Sequence, residues 1–487
     1  MEINMNFISD NVIGIVNKDI SMKYNVVPKL ENNSNIVFWS TEIDQNTQLY
    51  LEILLNKTIT FEICSDEELI NHRKSVYSVS DMSILKSSLE DFESRVEIES
   101  GELELGEKSK VSEFLNNIIF YAIENKCSDI HIDGLINSSL IRVRIDGILM
   151  DLFEIKKSVI KFIINRIKVL SNLDYTVKNI PQDGRFSFNY LGKNIDIRVA
   201  ITPTIYSEKV VLRILDRENV LFTKKGIGLH GDKLKAVETL IKQPNGLILV
   251  CGPTGSGKTS TLYTLLKSIQ SEDINILTIE DPVEYKIEGI NQLEINEKVG
   301  FDFNSGLKTI LRLDPDKIMV GEIRDKETAS TSLRASITGH LVLSTLHTND
   351  SPSAIYRLKD MGIESYLISA GIIGIISQRL VRKLCDCKIK EKKYIDIFDE
   401  EMEIYKKCGC PKCANSGYAG RKAVFEILIL DDELKEALNS SISLTEFRKL
   451  CKKHNMISLK ESMKELLLEG ITSLDEVYKN IITIGDL

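Results

Sequence analysis

The sequence predicts an α/β protein in which a domain with a mostly parallel sheet follows two smaller α/β N-terminal domains. Three observations support this fold class. Apolar strands such as GLILV, NILTIE and HLVLSTLH alternate with helical stretches from about residue 226, and this alternation is typical of a parallel sheet covered on both faces. A glycine-rich turn lies between one such strand and the next helix. The length of 487 residues exceeds that of a single core, so about three domains are expected.

The first two domains are predicted from the way the hydrophobic period changes along the chain. Residues 1–95 mix short apolar runs with polar turns and predict a small α/β domain. Residues 96–110 are first acidic and then basic, contain glycines, and predict a linker. A second domain is expected over 111–225. There, a helix with an apolar residue at every third or fourth position precedes strands, such as SDIHID and LIRVRIDGIL, in which apolar and polar residues alternate.

Residues 226–487 are predicted to form the parallel-sheet domain, with a cysteine module at 380–425 and a helical C-terminal part at 431–487. The apolar run LISAGIIGIIS begins at Leu367. It is shorter than the roughly 18 residues of a membrane-spanning helix, so we expect a buried helix and no transmembrane segment. The N-terminus lacks the basic region and cleavage site of a signal peptide, which favours a cytoplasmic location.

Composition argues against one class of function and favours a metal site. The formal net charge of −9 argues against a protein that binds nucleic acid through a broad basic surface. Of nine cysteines, five lie between Cys385 and Cys413. An odd and clustered count favours a metal site in a reducing compartment over a framework of disulfides.

The clearest motif is CGPTGSGKTS, which follows the strand GLILV. Gly252, Gly257, Lys258 and Thr259 have the spacing of a nucleotide-binding phosphate loop between a strand and a helix. Backbone N–H groups of such a loop surround the β-phosphate, Lys258 would contact the β- and γ-phosphates, and the Thr259 hydroxyl would bind Mg²⁺. The residues predicted to bind ATP are Gly252, Pro253, Thr254, Gly255, Ser256, Gly257, Lys258, Thr259 and Ser260.

Hydrolysis also needs a carboxylate near Mg²⁺ and a base for the attacking water. ILTIEDPVEY offers Glu280, followed by Asp281 and Glu284, and KIMVGEIRD offers Glu322. The strand before Glu322 ends in Gly321, where phosphate-loop proteins usually have aspartate, so Glu322 is expected to take over a metal role. We assign Glu280 as the base and Glu322 to the Mg²⁺-bound water, and the reverse assignment stays open.

Two histidines flank the predicted strand LVLSTL. A single histidine is often structural, but two of only six beside a nucleotide crevice favour a sensor of the γ-phosphate. We favour His347 for this role and keep His340 as the alternative.

The ordered motifs GPTGSGKT, TIEDPVEY, MVGEIRD and TGHLVLSTLHTND resemble those of the secretion ATPase superfamily of type II secretion and type IV pilus motors. Upstream, SDIHID, RVRIDGIL and the segment around PQDGRF resemble that family's second N-terminal domain, which is PAS-like. The resemblance implies a RecA-like P-loop ATPase domain and a homo-hexamer in which arginines of the second N-terminal domain contact the phosphates. The matching positions are Arg198 and Arg213. Arg324 also matches the family, whereas Leu313 stands where the family commonly has glutamine.

The resemblance also implies partners and a cellular place. The first 80 residues resemble a domain that docks on a membrane-associated protein, and the motor would act on an inner-membrane platform protein. The protein would then be cytoplasmic and peripheral on the inner face of the membrane. No nucleic acid is expected as a partner.

The cysteines predict a structural zinc site. Close cysteine pairs about 20 residues apart suit a tetrahedral zinc knuckle. Assembly-type members of the family carry a four-cysteine module built from two C-x-x-C pairs. Here the second pair has that spacing, whereas the first is C-x-C. We assign Cys385, Cys387, Cys410 and Cys413 as ligands, with Cys408 as an alternative to one of the first two.

The sequence therefore predicts an ATPase that drives assembly of a type IV pilus or of a secretion pseudopilus. The cysteine module and the N-terminal region favour the assembly side over a retraction-type motor, which remains an alternative. Two further classes of protein stay open: a nucleic-acid translocase, and a switch that binds nucleotide without hydrolysing it.

Overall fold

The structure is a computed structural model, and it describes residues 12, 15–16, 18–31, 34–77, 82–98, 110–215, 222–413, 415–440, 442–454, 456 and 458–482. The chain divides into two units, Met1–Asn219 and Val220–Leu487. Each unit is described by itself below. Most of the predicted linker, residues 99–109, lies outside the described residues.

The first unit begins with a three-stranded sheet. Its strands and the helices around them are α1 (Lys18–Lys23), β1 (Val26–Glu31), β2 (Asn35–Ser40), α2 (Gln45–Leu55), β3 (Thr58–Ile63), α3 (Asp66–Tyr77) and α4 (Met82–Ile98). The central strand β2 pairs antiparallel with β1 and parallel with β3. Its apolar residues Ile36 and Phe38 are buried while their neighbours are half-buried, as expected of an alternating strand.

A six-stranded antiparallel sheet forms the rest of the first unit. Its elements are α5 (Lys110–Glu124), β4 (Asp129–Gly134), β5 (Ser138–Ile145), β6 (Ile148–Lys156), α6 (Lys157–Leu170), β7 (Gln182–Tyr190), β8 (Lys193–Pro203) and β9 (Glu208–Leu215), and the strand order is β6-β5-β4-β9-β8-β7. The predicted apolar face of α5 is confirmed, because its members are all buried: Val111, Phe114, Leu115, Ile118, Ile119 and Ala122. Helices α5 and α6 share a core with the inward residues of the strands, and the polar residues that alternate with these lie on the other face of the sheet.

The second unit contains the predicted mostly parallel sheet. Its strands are β10 (Gly246–Cys251), β11 (Ile276–Glu280), β12 (Asn291–Glu294), β13 (Lys317–Val320), β14 (Leu341–Leu346), β15 (Ile372–Leu384) and β18 (Tyr418–Ile429), in the order β12-β11-β13-β14-β10-β15-β18. All neighbouring pairs are parallel except β15 and β18, which are antiparallel. The fold class predicted from the alternating pattern is therefore confirmed.

Helices cover both faces of this sheet. They are α7 (Gly231–Ile241), α8 (Lys258–Ile269), α9 (Phe303–Ile310), α10 (Lys326–Ile337), α11 (Ser351–Asp360) and α12 (Ser365–Gly371). Strand β10 explains the two layers, because Leu247 and Leu249 contribute to one hydrophobic core and Ile248 and Val250 to the other. A strand that is buried on both faces has a continuous apolar sequence, and the sequence of β10 has this pattern.

The run LISAGIIGIIS does not form one buried helix. The prediction is wrong for the second half of the run, which is a strand. Helix α12 ends at Gly371, and β15 begins at Ile372 and pairs with β10. An apolar run by itself does not separate a buried helix from a buried strand. The β-branched isoleucines favour the strand. An added Cβ at Gly374 would lie 2.5 Å from the Leu240 side chain, so this strand packs closely against α7.

Between β15 and β18 the chain forms a small antiparallel hairpin, and helices follow β18. These elements are β16 (Ile389–Ile395), β17 (Glu400–Lys406), α13 (Asp432–Asn439), α14 (Leu444–Lys453), α15 (Leu459–Leu468) and α16 (Leu474–Ile482). Apolar residues of the hairpin, such as Met402 and Ile404, share a core with Met463 and Val477 of the last two helices. The helical C-terminal part is confirmed. In the described part of the chain, no helix is both long and apolar enough to cross a membrane.

Candidate functional site

The phosphate loop connects the carboxyl end of β10 to the N-terminus of α8, as its motif predicts. Gly252, Gly255 and Gly257 have φ values of 149°, 78° and 87°, which residues with a Cβ rarely adopt. Gly257 is the N-cap of α8, so the free backbone N–H groups of the first turn of α8 lie at the loop. Such an N-terminus favours a bound phosphate.

Lys258 is the basic side chain of the loop and is 8% exposed. Its Nζ donates hydrogen bonds to the carbonyl oxygens of Gly252 at 2.8 Å and Pro253 at 3.1 Å. Burial lowers the pKa of Lys258, while nearby Glu322 opposes this shift. The ammonium group therefore lies within the loop, where the charge of Glu322, one of the two predicted catalytic carboxylates, acts on it.

A cavity of about 440 Å³ gathers most of the predicted site within the second unit. It is lined by loop residues and by residues from the ends of β11, β13 and β14: Thr254, Gly255, Ser256, Gly257, Lys258, Thr259, Ser260, Glu280, Glu322 and His347. Ligands of open α/β sheets bind at the carboxyl ends of the strands. The Thr259 hydroxyl and the Glu322 carboxylate are the oxygen donors that Mg²⁺ prefers, so the lining fits that ion.

Glu280 ends β11 and is 4% exposed. Its carboxylate accepts hydrogen bonds from the hydroxyl of Thr278 at 2.6 Å, the amide of Gln292 at 3.0 Å and the hydroxyl of Tyr263. Burial raises the pKa of Glu280, although these donors oppose the shift. A carboxylate has about four acceptor sites, so three donors fix its orientation and leave one site for a further partner.

Glu322 follows β13 and has a different environment. It forms an ion pair with Arg324, and Nε2 of His347 lies 3.6 Å from its carboxylate. Burial and the positive charge of Lys258 lower the pKa of His347, while Glu322 raises it. The preceding Gly321 lies close to β11, because an added Cβ there would be 3.2 Å from the Ile279 carbonyl oxygen. A side chain at this position would require a small shift of β11.

The two histidines that flank β14 lie at opposite ends of the strand. His347 lines the cavity, whereas His340 precedes the first residue of β14 and its Nδ1 lies 3.0 Å from the carbonyl oxygen of Ala335. A strand rises about 3.3 Å per residue, so the two histidines are about 20 Å apart. The alternative of His340 as a phosphate sensor is therefore not supported by its position.

Arg198 and Arg213 belong to the first unit, on the polar face of its six-stranded sheet. They lie directly opposite each other on β8 and β9, and Arg185 of β7 lies opposite Arg198 on the other side. Arg213 Nε is 3.2 Å from the carboxylate of Asp129, and the Arg213 side chain is 63% exposed. Cross-strand neighbours are about 5 Å apart, so the three arginines form one row. Arg185 is the arginine of the segment PQDGRF, and strand register, rather than its sequence neighbours, places it in the row.

The cysteine cluster lies where β15, β17 and β18 meet. The sulfur atoms of Cys385, Cys387, Cys410 and Cys413 all lie within 4.8 Å of one another, with neighbouring pairs separated by 3.7 to 4.0 Å. Tetrahedral zinc with Zn–S bonds of about 2.3 Å places sulfur atoms about 3.8 Å apart. The four thiols therefore fit zinc, and they are the four assigned from the sequence. Cys408 is exposed and does not belong to the cluster.

The local hydrogen bonds favour a thiolate at Cys413. Burial opposes its ionisation, but the N–H groups of Cys410 and Gly417, each 3.3 Å from its sulfur, together with the thiols of Cys410 and Cys385 lower its pKa to about 6. Gly417 has a φ of 78°, and an added Cβ there would lie 2.7 Å from Lys407. Glycine is therefore required at this position, in the turn that follows Cys410 and Cys413.

Several contacts at the nucleotide cavity come from residues that no motif identifies. Tyr263 and Gln292 orient Glu280, and Arg421 lines the cavity from β18. Gln378 of β15 contacts the phosphate loop directly. Each of these residues reaches the site through strand pairing or helix packing rather than through its neighbours in sequence.

Comparison with known proteins agrees with this geometry. A profile of the family described as type II/IV secretion system protein matches residues 104–479. The chain is 41% identical over 385 residues to type II secretion system protein E of Aeromonas hydrophila, a match that covers 77% of each chain. It is 36% identical over 484 residues to the type IV pilus assembly ATPase PilB of Thermus thermophilus, which covers 96% of this chain and 54% of that protein.

Among solved structures, the pilus retraction motor PilT with bound ADP is similar, with a TM-score of 0.54 and 30% identity. This match covers 75% of the present chain and 96% of that chain.

Proposed function

We propose, on the basis that the chain belongs to the type II/IV secretion system protein family, that it hydrolyses ATP to drive assembly of a type IV pilus or a secretion pseudopilus. The observation that carries the proposal is the convergence of the phosphate loop, Glu280, Glu322 and His347 on one cavity. A nucleotide switch would not need two carboxylates and a histidine around the position of the γ-phosphate.

The proposed chemistry follows from the contacts of each side chain. Lys258 exchanges the carbonyl oxygens of Gly252 and Pro253 for phosphate oxygens when ATP binds. Thr259 and Glu322 would hold Mg²⁺ and its water, and the bound ion would supply positive charge beside the transferring phosphoryl group. The charge of Glu322 acts on Lys258, which would contact the β- and γ-phosphates, so the metal role fits Glu322 better than Glu280.

Glu280 is proposed as the base that orients and deprotonates the attacking water. Its three hydrogen-bond donors fix the carboxylate, and burial raises its pKa toward the working pH. A general base is most effective when its pKa lies near that pH. His347 is proposed to sense the γ-phosphate through its position beside Glu322.

The arginine row is proposed to bind phosphate groups. Arg185, Arg198 and Arg213 occupy three successive positions across β7, β8 and β9, so their side chains concentrate positive charge on one face of the sheet. An arginine that reaches a phosphoryl group stabilises its charge. We propose that Arg198 and Arg213 act in this way within a homo-hexamer.

Assembly is favoured over retraction by how far the matches extend. The match to an assembly ATPase covers 96% of this chain, whereas the match to a retraction motor leaves a quarter of the chain outside it. We propose an inner-membrane platform protein and a membrane-associated docking protein as partners. The protein would then act at the cytoplasmic face of the membrane.

Deletion of the gene in its host, followed by electron microscopy of surface filaments and assay of secreted proteins, tests this function. Assembly predicts loss of filaments or of secretion, restored by the wild-type chain and not by Glu322→Gln. An excess of filaments would instead indicate retraction. Stimulation of the purified ATPase by DNA, with no change in filaments or secretion, would indicate a nucleic-acid translocase.

A further inference from the structure

Gln378 is a buried polar side chain beside the phosphate loop that the chemistry above does not use. It is 2% exposed and lies on β15. The parallel pairing of β10 with β15 places Ser377 opposite Cys251, so the next residue, Gln378, lies beside the point where the loop begins. Strand β15 pairs with β18 on its other side, which makes it an interior and therefore rigid element.

The amide of Gln378 joins the loop to the helix that follows it. Its Nε2 donates to the carbonyl oxygen of Ser256 at 2.8 Å, and its Oε1 accepts from the hydroxyl of Thr261 at 2.6 Å. Thr261 is fully buried in α8. The amide N–H group of Gln378 is thus hydrogen-bonded to the loop, and its amide oxygen is hydrogen-bonded to the helix.

The bond to Ser256 has a consequence for the neighbouring N–H group. In a planar trans peptide the C=O and N–H bonds point in opposite directions. Fixing the Ser256 carbonyl toward Gln378 therefore fixes the N–H of Gly257 in the opposite direction. That N–H belongs to the start of α8, where backbone donors bind phosphate.

Two glycines of the loop pack closely against residue 378, Gly257 against its side chain and Gly252 against its backbone. An added Cβ at Gly257 would lie 2.9 Å from Nε2 of Gln378, and one at Gly252 would lie 2.5 Å from the Gln378 carbonyl oxygen. The loop thus approaches β15 too closely for any side chain at either position. The tight contact and the two hydrogen bonds hold the loop in one conformation.

We propose that Gln378 is a positioning residue for nucleotide binding: it holds the Ser256–Gly257 peptide so that the loop is preorganised for the β-phosphate of ATP or ADP. The proposal rests on the proposed function only in that the loop binds these nucleotides. Hydrogen-bond donors that are already ordered bind a ligand more tightly, because no conformational entropy is lost in ordering them on binding.

The test measures nucleotide affinity of the purified full-length chain by titration with fluorescent ATP and ADP analogues. Gln378→Leu removes both hydrogen bonds, and we expect the Kd for ATP and for ADP to rise by the same factor of about ten. Thr261→Val removes only the hydroxyl that orients the amide, and a rise of about threefold is expected. The double variant should not exceed Gln378→Leu, because both substitutions act on one linkage.

Thr264→Val is the matched control. Thr264 is a buried threonine of the same helix, one turn from Thr261, and its hydroxyl donates to the backbone oxygen of Ser260 rather than to Gln378. Its Kd values should equal those of wild type. Gln378→Leu should lower kcat/KM more than kcat, a split that general loss of structure would not give.

Equal Kd values for wild type, Gln378→Leu and Thr261→Val would overturn the proposal, and Thr261→Val alone decides it if the first variant does not fold. Absence of ATP and ADP binding by the wild-type chain would overturn the proposed function as well. The two failures are therefore distinguishable.

Discussion

Removing one thiol from the cysteine cluster should destabilise the second unit. Cys413 is the ligand to change, because its sulfur contacts both Cys387 and Cys410 and accepts two backbone N–H groups. Cys413→Ser keeps the size of the side chain and removes the thiolate that zinc prefers. Cys408→Ser is the matched control, since Cys408 is exposed and outside the cluster.

The expected magnitude follows from the loop that the cluster closes. Treated as a cross-link between Cys385 and Cys413, bound zinc closes a loop of about 28 residues, for which chain entropy gives about 3.5 kcal/mol. For a unit of this size, each kcal/mol shifts Tm by about 2 °C. Loss of zinc should therefore lower Tm by about 7 °C, because the core formed by the hairpin and the last helices stays in place.

The assay combines elemental analysis of the purified chain with thermal melting before and after treatment with a strong chelator. Wild type and Cys408→Ser should contain one zinc per chain and lose about 7 °C on chelation. Cys413→Ser should contain less zinc and melt at the lower temperature without chelator. If Cys413→Ser and wild type contain equal zinc, or if chelation leaves every Tm unchanged, the assignment of the cluster as a structural zinc site is refuted.

Two further predictions concern the proposed chemistry. Because burial raises the pKa of Glu280 above the ordinary value of 4.5, and a base must be ionised to accept a proton, kcat should fall as the pH drops through that raised pKa. The residual rate of Glu280→Gln should lack this acid limb, and an identical limb in that variant would exclude Glu280 as the base. Arg198→Ala, Arg213→Ala and His347→Ala should each lower kcat by about a hundredfold if they contact the phosphates. His340→Ala should behave as wild type in the same phosphate-release assay, and equal rates for all four variants would remove the proposed roles.

The motifs were sufficient to predict the phosphate loop and the carboxylates near it, because local chemistry fixes both. A glycine-rich turn after an apolar strand requires the loop, and parallel strands bring their carboxyl ends together. Glu280 ends one strand, Glu322 and His347 follow two others, and all three therefore reach one cavity. The irregular C-x-C spacing left the choice of cysteines open, and the geometry resolves it by excluding Cys408.

Several features depend on pairings between distant residues and could not be predicted from one sequence. The run after Gly371 is a strand because β10 and β18 are available to pair with it. Gln378 and Gln292 reach the loop and Glu280 through strand register, and no local pattern marks them. The division into three domains and a linker stays a prediction, since the described residues stop at 98 and resume at 110.

The central claim is that this chain hydrolyses ATP at the cavity beside its phosphate loop. Its most direct test is phosphate release by the purified full-length chain with Mg²⁺ and ATP, compared with Glu322→Gln, together with ATP binding by both proteins. We predict that wild type hydrolyses ATP and that Glu322→Gln binds ATP with similar affinity but releases phosphate at least about a hundredfold more slowly. Equal rates of phosphate release by the two proteins would contradict this claim.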